Sequence, residues 1–358
     1  MELIDWRELY AANRAVIEGR APGHHDMQHR FTHAGGPATL PRPLQGALLA
    51  GAAGGTAAGH VVAHDDGRRS RPIRVHVPEG LDPAAPAPLV VALHGSTQTA
   101  ATFAAGALLD READAGGFVV AYPEQVREDN PQSCWNWFSA GHQARGSGEP
   151  ALLAGAARAV MAGDTAWTID PERVFVVGMS AGGAMASILA ATYPDVFAGL
   201  AVHSGLAYGC ARSLPSATQA MARGGGDPEA LGRAAFAAMG AAARPVPALV
   251  IHGTADHTVA CVNGEHVVRQ WLATNRLAGG GDAAVQRPAA TVRDDAAGRL
   301  PATRRTWTGA DGRIVAEHIA VEGLGHAWSG GAAGGSYTDP RGPGASAAIR
   351  DFFSRVSA

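Results

Sequence analysis

The pattern of apolar and polar positions changes character twice along the chain. Over residues 1–20 the apolar positions Leu3, Trp6, Leu9, Tyr10, Ala12, Val16 and Ile17 recur at helical spacing, which predicts a short amphipathic helix. From Ala21 to Gly59 the text turns to Pro, Gly, Ala and His without a usable period, and reads as a loop or loosely attached arm. From His60 onward, short β-branched apolar runs alternate with alanine-rich helical stretches. That alternation is expected of crossover units around a mostly parallel sheet with helices on both faces, an α/β architecture. The chain therefore divides into an N-terminal helix and arm over 1–59 and one α/β domain over 60–358.

Predicted strands are Ile73 to Val77, Leu89 to Leu93, Phe118 to Tyr122, Val174 to Val177, Gly199 to His203 and Ala248 to His252. Several are apolar without alternation, as strands covered on both faces should be. Helical composition fills Ala100 to Ala115, Glu149 to Thr165, Gly182 to Tyr193 and Glu265 to Leu277. Near the end, Thr303 to Thr308 and Ile314 to Val321 flank Ala310-Asp311-Gly312 as an antiparallel pair, followed by a Gly-rich loop and a helix from Ala345 to Val356. Gly279 to Leu300 is polar and reads as a surface insertion.

The chemistry-bearing motif is Gly178-Met179-Ser180-Ala181-Gly182. G-x-S-x-G alone is weak evidence in a chain with 47 glycines, but here it follows an apolar strand and opens a helix. That context is the nucleophile elbow of the α/β-hydrolase fold, with glycines where strand and helix pass closest. A serine hydroxyl is too weak an acid to attack an ester unaided, so a histidine must take its proton and a carboxylate must orient that histidine. In this fold the acid and then the base follow the serine in chain order. Asp256 stands in the loop after the strand ending at His252, on the edge where catalytic groups of open α/β sheets gather. Among the later histidines, His266 falls in a helix, His257 adjoins the acid and His318 falls in a strand. His326 lies in Gly325-His326-Ala327-Trp328, between the last strand and the last helix, and is the expected base. An oxyanion needs two amide donors. Ala181 N–H is one, and the loop His94-Gly95-Ser96-Thr97-Gln98 supplies the other, with Ser96 first and Thr97 second. His94 and His252 are expected to brace their loops. Aromatic residues are scarce at 6%, yet Trp135, Trp137 and Phe138 fall within five positions and Trp328 lies two beyond His326. Trp135, Trp137 and Trp328 are candidates for the substrate pocket, with core anchoring as the alternative.

Composition narrows the classes. A net charge of −3 from 29 basic and 32 acidic residues builds no field for nucleic acid. No run reaches the length of a membrane span, and the segment Met1 to Glu8 lacks the basic and apolar regions of a secretory leader, so a cytoplasmic location and no membrane partner are expected. The three cysteines, Cys134, Cys210 and Cys261, fit no zinc spacing and are expected to be buried free thiols, one bridge being the alternative.

The pieces Leu93-His94-Gly95-Ser96, Tyr122-Pro123-Glu124-Gln125, Cys134-Trp135-Asn136-Trp137-Phe138, Gly178 to Gly183, Tyr193-Pro194, His252-Gly253 with Asp256 and Val259, and Gly325 to Gly331 with Asp339-Pro340 together carry a resemblance. The chain resembles the polyhydroxybutyrate depolymerase family of esterases, related to feruloyl and acetylxylan esterases. The resemblance implies a carboxylic ester hydrolase without metal or organic cofactor, acting on poly- or oligo(3-hydroxybutyrate) or other short-chain hydroxyalkanoate esters. It gives Ser180, Asp256 and His326 the roles reached above. Two other readings are a feruloyl or acetylxylan-type esterase and a silent hydrolase fold that binds polymer granules.

Overall fold

A computed structural model describes residues 60–65, 67, 69–163, 166–280 and 287–357. The expected N-terminal helix and arm over 1–59 lie outside the described residues. Ten strands form one sheet in the order β1-β2-β4-β3-β5-β6-β7-β10-β9-β8. In chain order they are β1 (His60–Asp65), β2 (Ser70–His76), β3 (Pro86–Leu93), β4 (Val119–Pro123), β5 (Thr168–Met179), β6 (Gly199–His203), β7 (Ala248–Gly253), β8 (Ala290–Asp294), β9 (Ala302–Thr308) and β10 (Ile314–Val321). The central run β4-β3-β5-β6-β7-β10 is parallel throughout, and the flanks are antiparallel.

Side-chain alternation sends neighbouring residues of a central strand to opposite faces. Leu89, Val91, Leu93, Val174, Val176, Leu200, Val202 and Val250 join one buried cluster, while Val90, Ala92, Phe175, Val177, Ala201, Leu249 and Ile251 join the other. Both faces are covered, so these strands show no polar alternation. The first cluster takes in α3 (Gly148–Met161) and α4 (Ala181–Thr192), and packs against α7 (Val262–Ala278). The second takes in α1 (Ala100–Ala107), α2 (Leu109–Gly116) and α8 (Ala345–Val356).

Four expectations are corrected. The single helix over Ala100 to Ala115 is two, because Leu108 adopts a left-handed conformation (φ 60°) whose N–H closes on Ala104 O at 3.2 Å. The break lets Leu109 and Ala113 bury beneath the sheet. The supposed insertion over Gly279 to Leu300 contains β8, an edge strand that pairs with β9 although all five of its residues are exposed. Backbone pairing alone builds it, and such pairing leaves no hydrophobic pattern. Two helices, α5 (Leu214–Arg223) and α6 (Pro228–Met239), lie in a stretch where none was predicted. All three cysteines are free thiols, but only Cys134 is buried; Cys210 is partly buried and Cys261 is exposed.

Candidate active site

Five adjacent parallel strands, β3, β5, β6, β7 and β10, end on the same edge of the sheet. The loops leaving four of them carry His94–Gln98, Ser180, Asp256 and His326. The topology thus gathers residues that lie as far apart as Ser96 and His326 in sequence.

Ser180 follows β5 and caps α4 in a strained conformation (φ 55°, ψ −119°) that a non-glycine residue rarely holds. The strain persists because the turn has no room to relax. A Cβ on Gly178 would stand 2.2 Å from Gly182 C and O, and one on Gly182 would stand 2.2 Å from Leu93 O. Both glycines of the motif are therefore required by contact with backbone. Ser180 N–H donates to His203 O on β6 (2.9 Å), which pins the elbow to the neighbouring strand.

Asp256 is buried, and each carboxylate oxygen is engaged. Oδ1 accepts the amides of Thr258 and Val259 at 2.9 Å, and Oδ2 accepts His326 Nδ1–H at 2.7 Å. Burial works against the charge, but the neighbouring His326 and the hydrogen bonds from His252 and His326 outweigh it and hold the carboxyl well below its usual range. Because an ionised carboxylate only accepts, it fixes the proton of His326 on Nδ1 and leaves Nε2 with a free lone pair. The acid and base loops are stitched together by Thr254 N–H to Val321 O (2.9 Å) and Ala255 N–H to Leu324 O (3.0 Å). Gly253 permits that approach, since a Cβ there would stand 2.1 Å from Leu324 O.

The loop after β3 turns close to the elbow, with the Cβ position of Gly95 3.6 Å from Ser180 Cβ. Gly95 N–H donates to Gln98 Oε1 (2.8 Å), Thr97 N–H to Gln132 O (2.7 Å) and Gln98 N–H to Gly95 O (3.3 Å). Thr97, the second choice for an oxyanion donor, is corrected on this ground: its amide is already spent. Ser96 N–H makes no hydrogen bond among the described residues, and Ala181 N–H opens α4, where first-turn amides lack a helical partner.

His94 braces this loop as expected. Its Nε2 accepts the amide of Gln125 (3.0 Å), so Nδ1 carries the proton and donates to Gly95 O (2.8 Å). Burial lowers its pKa to about 4, and it stays neutral. His252 donates from Nε2 to Val259 O (2.8 Å), closing the loop that bears Asp256. His318, set aside as a base, is buried in β10 beside Arg305.

The three tryptophans proposed for the pocket are core residues. Trp135 is fully buried and donates from its indole to His94 O (3.0 Å). Trp137 packs edge-on against Phe138 with ring centres 5.5 Å apart. Trp328 stacks on His203 (4.9 Å), meets Phe103 edge-on (5.3 Å) and donates to Ser346 Oγ on α8 (3.2 Å). A large ring in a mostly small-residue chain is needed to fill the layers beneath the loops, and that demand takes all three. A cavity of about 510 Å³ lies away from these tryptophans, walled by β8, β9 and the start of α8.

Two participants had no expectation attached. His203, at the end of β6 and between the serine and acid strands, holds Ser180 through its carbonyl and accepts Ser329 N–H on Nε2 (3.0 Å). Burial, with the nearby His252 and His326, lowers its pKa to about 3. The available signal was a histidine at the C-terminal end of a buried strand. Tyr337 stands edge-on to His326 with ring centres 6.4 Å apart, and its hydroxyl lies 3.3 Å from Thr97 Oγ1. Nothing in the local pattern around Tyr337 marks it.

Residues 75–297 match the family model described as esterase PHB depolymerase, a span that holds Ser96, Ser180 and Asp256 but ends before His326. The chain is 37% identical over 253 residues to the poly(3-hydroxyalkanoate) depolymerase C of Paucimonas lemoignei, covering 70% of this chain and 57% of that protein. It is 35% identical over 181 residues to the feruloyl esterase B of Neurospora crassa, covering 50% and 59%. Among solved structures, the acetyl xylan esterase from Aspergillus awamori superposes with a TM-score of 0.58 at 25% identity, over 72% of this chain and 89% of that one. The chain spans a little over half the length of these two curated relatives.

Proposed function

The chain belongs to the esterase PHB depolymerase family, and from that premise we propose that it hydrolyses carboxylic esters through an acyl-Ser180 intermediate. In this reading His326 Nε2 takes the Ser180 proton as Oγ attacks the ester carbonyl. The resulting oxyanion lies against the amides of Ser96 and Ala181, and each such donor contributes roughly 3–4 kcal/mol to the transition state. Collapse of the tetrahedral intermediate breaks the bond to the alcohol oxygen, which receives the proton from His326. Water then attacks the acyl-serine, with His326 again as base, and frees the acid. Asp256 steadies the imidazolium in both steps.

The observation that carries the reading is the bond from His326 Nδ1–H to a buried, ionised Asp256 on the same sheet edge as a strained Ser180. The expected substrates are oligo- or poly(3-hydroxybutyrate) or other short-chain hydroxyalkanoate esters, as the name of the Paucimonas relative suggests. An acetylated sugar or feruloyl ester is the second reading, favoured by the solved acetyl xylan esterase, nearly all of which this chain matches. Labelling with a fluorophosphonate probe, lost in Ser180→Ala, tests the nucleophile. A silent polymer-binding fold would leave the wild type unlabelled. Rates on 3-hydroxybutyrate oligomers, acetylated xylan and methyl ferulate separate the substrates, and activity confined to the last two would remove the hydroxyalkanoate assignment.

A further inference from the structure

Tyr337 is one of three large hydrophobic side chains exposed among the described residues, at 47%. The other two, Val61 and Val292, sit on the edge strands β1 and β8. Tyr337 instead lies just before the short strand β12 (Thr338–Asp339), which pairs with β11 (Trp328–Ser329), two residues beyond His326. Its backbone is left-handed (φ 51°), a conformation costly for a residue with a side chain. Thr97, which faces it from the loop after β3, is left-handed as well (φ 67°). Such strain endures only where the surroundings enforce it, and it gathers at functional sites. Here three contacts enforce it. Trp328 N–H donates to Tyr337 O (2.7 Å), Gln98 Nε2 donates to the adjoining Ser336 O (3.0 Å), and the Tyr337 hydroxyl meets Thr97 Oγ1 (3.3 Å).

We propose that Tyr337 is a specificity-determining residue that receives the alcohol portion of the ester. The inference rests on the hydrolase reading given above. His326 must hand its proton to the departing alcohol oxygen, so that alcohol has to lie beside His326, and the ring of Tyr337 is an exposed apolar surface next to His326. The hydroxyl is tied back to Thr97, which aims the ring and leaves its C–H and π surface for contact. An alcohol with its own methyl and methylene groups, such as a further hydroxyalkanoate unit, can bury them against the ring. Methanol has too little surface to do so. The Thr97 contact also couples this side of the site to the loop bearing Ser96, so alcohol recognition and the oxyanion donors share one frame.

The test compares methyl 3-hydroxybutyrate with the linear 3-hydroxybutyrate dimer, two esters of one acyl group with different alcohols. Tyr337→Gly removes the ring while suiting the left-handed backbone, and Tyr337→Phe keeps the ring but drops the hydroxyl. Wild type should prefer the dimer. Tyr337→Gly should lower kcat/KM for the dimer about tenfold more than for the methyl ester, chiefly through KM, the scale of a few methylene contacts. Tyr337→Phe should retain most of the preference. Equal losses on both esters, or a wild type that favours the methyl ester, would overturn the proposal while Ser180 still labels with a fluorophosphonate. Failure of wild-type Ser180 to label would overturn the hydrolase reading and this proposal together.

Discussion

Asp256→Asn perturbs the site by one atom and tests how the base is oriented. The carboxylate has two jobs: Oδ1 takes the amides of Thr258 and Val259, and Oδ2 takes His326 Nδ1–H. Asparagine can do only one of them. If its carbonyl oxygen stays on the two amides, its NH₂ faces Nδ1 and drives the proton of His326 to Nε2, where the base should have its lone pair. If the amide flips, two buried N–H donors face an NH₂ group, at about 1–3 kcal/mol each. The first arrangement is therefore favoured by about 2–6 kcal/mol, and nearly all of the protein holds the wrong tautomer. Turnover should fall by about 10⁴, equal to about 5.4 kcal/mol of barrier, as when the orienting acid of a serine triad is neutralised. The assay is kcat on p-nitrophenyl butyrate, with urea unfolding as control, since the near-isosteric change should leave the fold intact. A kcat within tenfold of wild type would refute the assignment of Asp256. A mutant that unfolds would show that the residue supports structure instead.

Other outcomes follow from the same contacts. Gly253→Ala sets a Cβ 2.1 Å from Leu324 O and 2.9 Å from Gly325 O, so the base loop must move. It should lose about 1–3 kcal/mol in urea unfolding and about 10²-fold in kcat, and an unchanged kcat would show that the loops tolerate separation. Burial lowers the pKa of His94 and His318 to about 4 and of His203 to about 3, whereas an unfolded histidine titrates near 6.5. Below 6.5 the unfolded chain takes up protons that the folded one refuses. Stability present above that pH should fall as pH drops toward 4 and then 3, by up to about 1.4 kcal/mol per pH unit for each histidine. A urea midpoint that is the same at pH 7 and pH 4.5 would contradict this.

Much of the fold was legible because its central strands are buried on both faces and so appear as short unbroken apolar runs. Gly199–His203 and Ala345–Val356 have the boundaries expected of them. Ser180 and Asp256 stand out because each follows such a run, and His326 because it follows the last strand of the sheet; the order of the strands gives the order of the proposed roles. Helices α5 and α6 were written too, in the caps Ser213 and Asp227, each followed by a proline within the first two helical positions. Those signals are short, and the amphipathic spacing around them is diluted by alanine. Strand β8 had no signal, because ladder hydrogen bonds use the backbone that every residue shares.

The sequence by itself pointed to the elbow, to Ser180, Asp256 and His326 as candidate nucleophile, acid and base, and to His94 and His252 as loop braces, since those follow from local pattern and chain order. Only the tertiary structure decided which groups meet. It spent the Thr97 amide on Gln132, turned three tryptophans into the core, brought His203 under the elbow, and stood Tyr337 against His326. The physical reason is that a side chain's direction and an amide's partner depend on what packs from distant parts of the chain. Spacing records the periodicity of one element, and carries no record of the neighbour that element will meet.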